Sequence, residues 1–218
     1  MKYNIKIGIT PAKLCYSICF ALLLALIRGV SSEKEIGAAM DANIALLAMI
    51  FCADTYYQEI QSDRWEVFYL VPPRSRYLTI CQRLFAELIY LALLTVICYL
   101  AFYARFSGNF IQSSEIPIDI TAILACCASV FFFGTFTFTL VNVFGNLWAG
   151  IGGALLVWSV LNSALGRKLP AFINVFAYGN YTEDSSREWI AGKLTAVVLS
   201  GLLILINYKL LNRQERIR

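Results

Sequence analysis

Side chains able to do chemistry are scarce in this chain, and eight of its 32 charged residues fall in one stretch. Residues 54–83 read DTYYQEIQSDRWEVFYLVPPRSRYLTICQR, a run dense in acids, arginines and aromatics. Trp and Arg tend to anchor protein interfaces, so this composition suits a contact with a second chain. It suits an interfacial loop equally well, with Trp65 and Tyr69 in the headgroup belt and the arginines on anionic lipid. Periodicity leaves both readings open.

Catalytic constellations are missing. The chain has no His, which removes His-based triads, imidazole metal sites and His proton relays. No Gly-x-x-x-x-Gly-Lys-Ser/Thr run occurs, so a P-loop for nucleotide phosphates is absent. Paired carboxylates and Ser/Lys arrangements are lacking within the apolar stretches, and no enzyme activity is expected. The seven cysteines (15, 19, 52, 81, 98, 126 and 127) include no Cys-x-x-Cys and read as free, buried packing thiols.

Asp41 and Glu87 are carboxylates set well inside apolar stretches. Asp41 is five residues past Ile36, about 7.5 Å along a helix, and reads either as a structural, water-exposed vestibule group or as a substrate contact. Glu87 stands four residues from Arg83, the spacing of a helical ion pair. Trp158, Asn162 and Ser163 add polar and aromatic character to a later stretch and join Asp41 as candidate residues of a translocation path.

The elements that must hold these groups are membrane helices. The 218-residue chain is 59% hydrophobic and 15% charged, with a mean hydropathy of +0.67. Soluble domains run at about 25% charged, so an integral membrane protein is expected. The net charge of +4 comes from cations flanking apolar runs, which points away from nucleic acid.

Six stretches approach the roughly 20 apolar residues that a bilayer needs: Leu14–Val30, Ile36–Ala53, Leu84–Phe106, Ile118–Val143, Leu147–Leu165 and Ile190–Leu211. Arg28 cuts the first short, with Lys13 and Arg28 placed to snorkel from its ends. It reads as a retained helix rather than a signal peptide, since no Ala-x-Ala site follows. With both termini inside, eleven of the 18 Lys and Arg lie on the cytoplasmic side, including Lys2, Lys6 and Arg213. The expectation is an all-α, polytopic single domain, 1–218, with six transmembrane helices and an outer loop at 166–189.

Local signals refine this layout. Gln58–Val71 can be drawn as an amphipathic helix ended by Pro72-Pro73, with Ser75 as N-cap of the helix that rises into the third span. Gly145-Asn146 is so short a loop that the fourth and fifth spans must be antiparallel neighbours. Gly150, Gly152 and Gly153 give the fifth span a small-residue face for close packing, within the chain or across a dimer. Residues 170–178 (PAFINVFAY) fit a short helix dipping into the outer leaflet, and Asn180-Tyr181-Thr182 matches a glycosylation sequon.

The run Arg64-Trp65-Glu66, then Pro72-Pro73-Arg74-Ser75-Arg76, then Arg83 at the foot of a helix, resembles the permease subunits of type-2 ABC exporters. The likeness extends to the six spans, the cytoplasmic termini and the basic carboxyl tail. It implies that residues 54–83 hold the family's coupling helix, with Asp63, Arg64, Trp65 and Glu66 facing an ABC ATPase subunit and Arg74 and Arg76 beside it.

The resemblance further implies a multi-pass protein of a bacterial plasma membrane, paired with a second permease subunit as homo- or heterodimer. ATP and Mg would sit on the partner ATPase, and no cofactor on this chain. The exported substrate implied is an amphipathic peptide, or else a lipid-like or drug-like molecule. A non-transporting membrane partner, such as a sensor or immunity protein, is the alternative from a different class.

Overall fold

The computed structural model describes residues 7–30, 33–58, 70, 72–106, 120–170, 172–180 and 188–214. Every regular element among them is helical: α1 (Pro11–Ile27), α2 (Glu33–Ala53), α3 (Pro73–Phe106), α4 (Ile120–Phe144), α5 (Leu147–Asn162) and α6 (Glu188–Gln214). Short 3-10 turns at Gly166–Lys168 and Ala177–Asn180 lie between α5 and α6. Among the described residues four helices are long and apolar enough to cross a membrane, over Glu35–Ala53, Arg74–Arg105, Ile120–Phe144 and Trp189–Leu210. The apolar α1 and α5 are shorter, at 17 and 16 residues.

Packing follows from which helices are apolar all round. On α2, Ile36, Met40, Ile44, Leu47 and Phe51 recur at helical spacing and are buried, while Ala45 and Met49 are buried on another side. A helix with more than one apolar face belongs in the interior. α2 and α4 accordingly form the central pair, with α1 and α3 packed on one flank and α5 and α6 on the other. Phe132, Phe133, Thr135 and Thr137 are buried on α4, so the Phe-rich stretch fills the core. At Gly134 three helices meet, since a Cβ there would lie 2.8 Å from Leu88 of α3 and 3.1 Å from Cys52 of α2.

The helix ends are set by ordinary capping. Thr10 accepts from the Lys13 amide at 3.3 Å, and Pro11, which has no N–H to satisfy, opens α1. α3 begins at Pro73, with the Arg76 amide donating to the Pro72 carbonyl at 3.1 Å. Ser75 therefore lies in the first turn and is not the N-cap. This helix runs unbroken for 34 residues, about 51 Å, so it outreaches a bilayer core of about 30 Å. Gly145 (φ +63°) and the cap Asn146, which accepts from the Trp148 and Ala149 amides, turn α4 into α5 as an antiparallel hairpin.

The small-residue face of α5 is used within the chain. A Cβ on Gly150 would lie 2.7 Å from the Val141 amide nitrogen and 2.8 Å from its Cα, whereas one on Gly152 meets nothing within 4 Å. Gly150→Ala should therefore cost about 1–3 kcal/mol by forcing two backbones apart. Gly152→Ala should leave stability unchanged or raise it by up to about 1 kcal/mol through helix propensity. Melts of the two variants in detergent that coincide would contradict this account.

The stretch before α6 departs from a single membrane-dipping helix. It forms turns followed by the 3-10 turn Ala177–Asn180, and Asn174, Val175, Phe176 and Tyr178 fold back into the bundle. Phe176 stacks on Phe133 at 5.4 Å and Tyr178 meets Trp189 edge-on at 4.9 Å. The outer sequence 107–117, most of the drawn amphipathic helix and two residues of the glycosylation sequon fall outside the described residues. All seven cysteines are free, but Cys15 and Cys19 lie on an exposed face of α1 instead of in the core.

Candidate functional site

Among the described residues, ionic clusters built on Lys13 and on Lys193 are buried at different levels of the bundle, each tying three elements together. The first is built on Lys13. Its Nζ lies 2.5 Å from Asp54 Oδ1 and 2.8 Å from Glu87 Oε1, and donates to the Phe51 carbonyl at 2.8 Å. The Thr55 hydroxyl donates to Glu87 Oε2 at 2.5 Å. Lys13 is only 4% exposed and Glu87 is 0% exposed. The ammonium also sits 4.9 Å above the Phe51 ring, which stacks on Tyr90.

This geometry revises two sequence-based expectations. Lys13 does not snorkel to the surface, because two carboxylates hold it inside. Glu87 takes its ionic partner from α1, 74 residues away, and not simply from Arg83 on its own helix. Asp54 opens the 54–83 segment and Glu87 follows it, so the cluster fastens both ends of that segment to α1.

The second cluster joins α2, α4 and α6. Lys193 Nζ reaches Asp41 Oδ2 at 2.5 Å and Ser129 Oγ at 2.7 Å, and Asp41, Lys193 and Ser129 are all buried. Asp41 is not water-exposed, being 2% accessible. A third polar link ties α4 to α6: Asn142 donates to Asn207 Oδ1 at 2.8 Å, and Asn207 donates to Thr139 at 2.7 Å. Nearby, the Tyr77 hydroxyl of α3 donates to the Ile204 carbonyl of α6 at 2.7 Å.

A cleft of about 180 Å³ opens beside Asp41. Arg28, Asn162 and Arg167 line its exposed part, with Asp41, Asn174 and Phe176 in the buried part. Asn174 is committed to structure, donating to the Gly166 carbonyl and accepting from the Phe176 amide.

Of the four candidate path residues, Asp41 and Asn162 line this cleft. Trp158 adjoins it through an indole N–H donated to the Ala42 carbonyl at 2.9 Å. Ser163 stands apart, turned to the Val160 carbonyl and the Leu165 amide as a cap of α5. Among the candidate interface residues, Arg74 is exposed and Arg76 is 8% exposed. Asp63, Arg64, Trp65 and Glu66 lie outside the described residues.

Sequence reasoning missed Lys193 as the partner of Asp41, although one signal was present. A lysine three residues inside an apolar stretch needs a counter-charge, and Asp41 was the carboxylate at matching depth. Comparison with known proteins gave no match to a family model, a curated protein or a solved structure.

Proposed function

We propose that this chain is the transmembrane permease subunit of an ATP-driven ABC exporter. In this reading all six helices cross the plasma membrane, α1 and α5 included, with both termini and the 54–83 segment on the cytoplasmic side. Two permease subunits enclose the path for an amphipathic substrate, a peptide first of all. Separate ATPase subunits close on ATP and move the 54–83 segments to switch access.

The observation that carries the reading is the joining of a charged, aromatic segment to three helices at once. Asp54 at its start and Glu87 just beyond its end share Lys13 of α1. A push on that segment is therefore delivered to α1, α2 and α3 together, as a coupling element requires. Arg74, exposed in the first turn of α3, supplies a surface contact, while the buried Arg76 belongs to the foot that supports it.

The test is recovery of the partner. Tagged chain purified from native membranes should bring down a P-loop ATPase, and Glu66→Lys with Arg74→Glu should abolish that recovery and uncouple ATP hydrolysis from export. Substituted chain that still exports at the normal rate would overturn the coupling role. Recovery of the chain with no ATPase would place it among non-transporting membrane partners instead.

A further inference from the structure

Arg28 and Arg167 come from different elements, the C-cap of α1 and the 3-10 turn after α5, yet both line one cleft. The acid in that lining, Asp41, is already neutralised by Lys193 at 2.5 Å. The two guanidinium charges are thus left uncancelled by the lining itself, and Asn162 adds an amide beside them. A guanidinium offers a planar fork of donors that matches phosphate oxygens two at a time.

The surroundings are those of a membrane interface. Ile27, next to Arg28, is 80% exposed, and Leu165, two residues before Arg167, is 66% exposed. Lys168, next in sequence to Arg167, is a further exposed cation. At about 180 Å³ the space is below the roughly 300–1,000 Å³ of drug-sized ligand sites. It accepts a headgroup and leaves any apolar tail outside, along α1 or α5.

We infer that this cleft binds a phosphate group, held between Arg28 and Arg167, whose source is an anionic phospholipid headgroup or free phosphate. The inference reaches beyond the transport reading and requires no ATPase. Its test uses the purified chain alone, so the two can fail separately.

In the lipid arm, the chain in detergent is offered equal amounts of phosphatidylglycerol and phosphatidylcholine, and retained lipid is counted by native mass spectrometry. In the ion arm, inorganic phosphate is compared with chloride at equal ionic strength for its effect on the melting temperature. Phosphatidylglycerol should be retained about tenfold over phosphatidylcholine, the scale of one charge-assisted hydrogen bond.

Arg28→Gln with Arg167→Gln should erase that preference, whereas Arg105→Gln, outside the cleft lining, should keep it. Arg28→Lys with Arg167→Lys keeps both charges without the forks and should retain part of it, which separates recognition from a folding defect. Stabilisation by phosphate without lipid preference, lost in the same double variant, names the free ion as the source. Neither effect, or a preference that survives Arg28→Gln/Arg167→Gln, overturns the inference.

Discussion

Lys13→Met should destabilise the protein by about 3–5 kcal/mol, the loss seen when one member of a buried ion pair is removed and the other stays behind. Glu87 is the group left behind. It is 0% exposed and would keep only the Thr55 hydroxyl of its present partners in that cluster. The Phe51 carbonyl would lose its donor at the same time.

The expected companion result is rescue. Lys13→Met combined with Glu87→Leu replaces charge with apolar volume and should recover most of the lost stability, since buried ion pairs are often matched by hydrophobic replacements. Thermal or denaturant unfolding in detergent measures both. A single variant within about 1 kcal/mol of the parent, the level of an exposed pair, would show that the cluster is wet and weak.

The second large effect is expected at Asp41 and Lys193. Lys193→Met leaves a carboxylate 2% exposed with no cation at 2.5 Å, again a loss of about 3–5 kcal/mol. Asp41→Leu with Lys193→Met should restore folding. In the proposed transporter the doubly substituted protein then isolates a further question. If export survives with stability, the pair is structural. If stability returns and export does not, the charges act on substrate or on the switch between states. Unfolding curves for the single variants that overlay the parent would contradict the buried pair itself.

These predictions rest on contacts that the sequence only half discloses. The apolar stretches were readable because a bilayer core imposes a length, and Gly145-Asn146 forced a hairpin because two residues leave no other route. Asp41 was conspicuous as a lone acid among apolar neighbours. Its partner was not, because α6 comes back beside α2 only after 152 residues, and periodicity along one helix says nothing about which helices become neighbours. The same holds for Lys13 and Glu87: local rules favoured Arg83 at i, i+4, and tertiary packing supplied a cation from α1.

The glycines show the opposite case. The sequence marked a close-packing face on α5, and the fold shows Gly150 meeting α4 of the same chain. Residues 170–178 fit a short helix dipping into the outer leaflet, but Asn174 ties that backbone into turns.

The unequal lengths of the helices have one more consequence. At 1.5 Å per residue, α1 and α5 measure about 26 and 24 Å, less than the roughly 30 Å of hydrocarbon they would have to traverse. Such a mismatch is met by thinning the surrounding lipid or by drawing polar ends below the headgroups. Arg28 and Asn162 stand at the ends of these two short helices. In the six-span reading proposed above, the chain would carry a shallow dimple in the bilayer at the face where Arg28, Asn162 and Arg167 line the cleft.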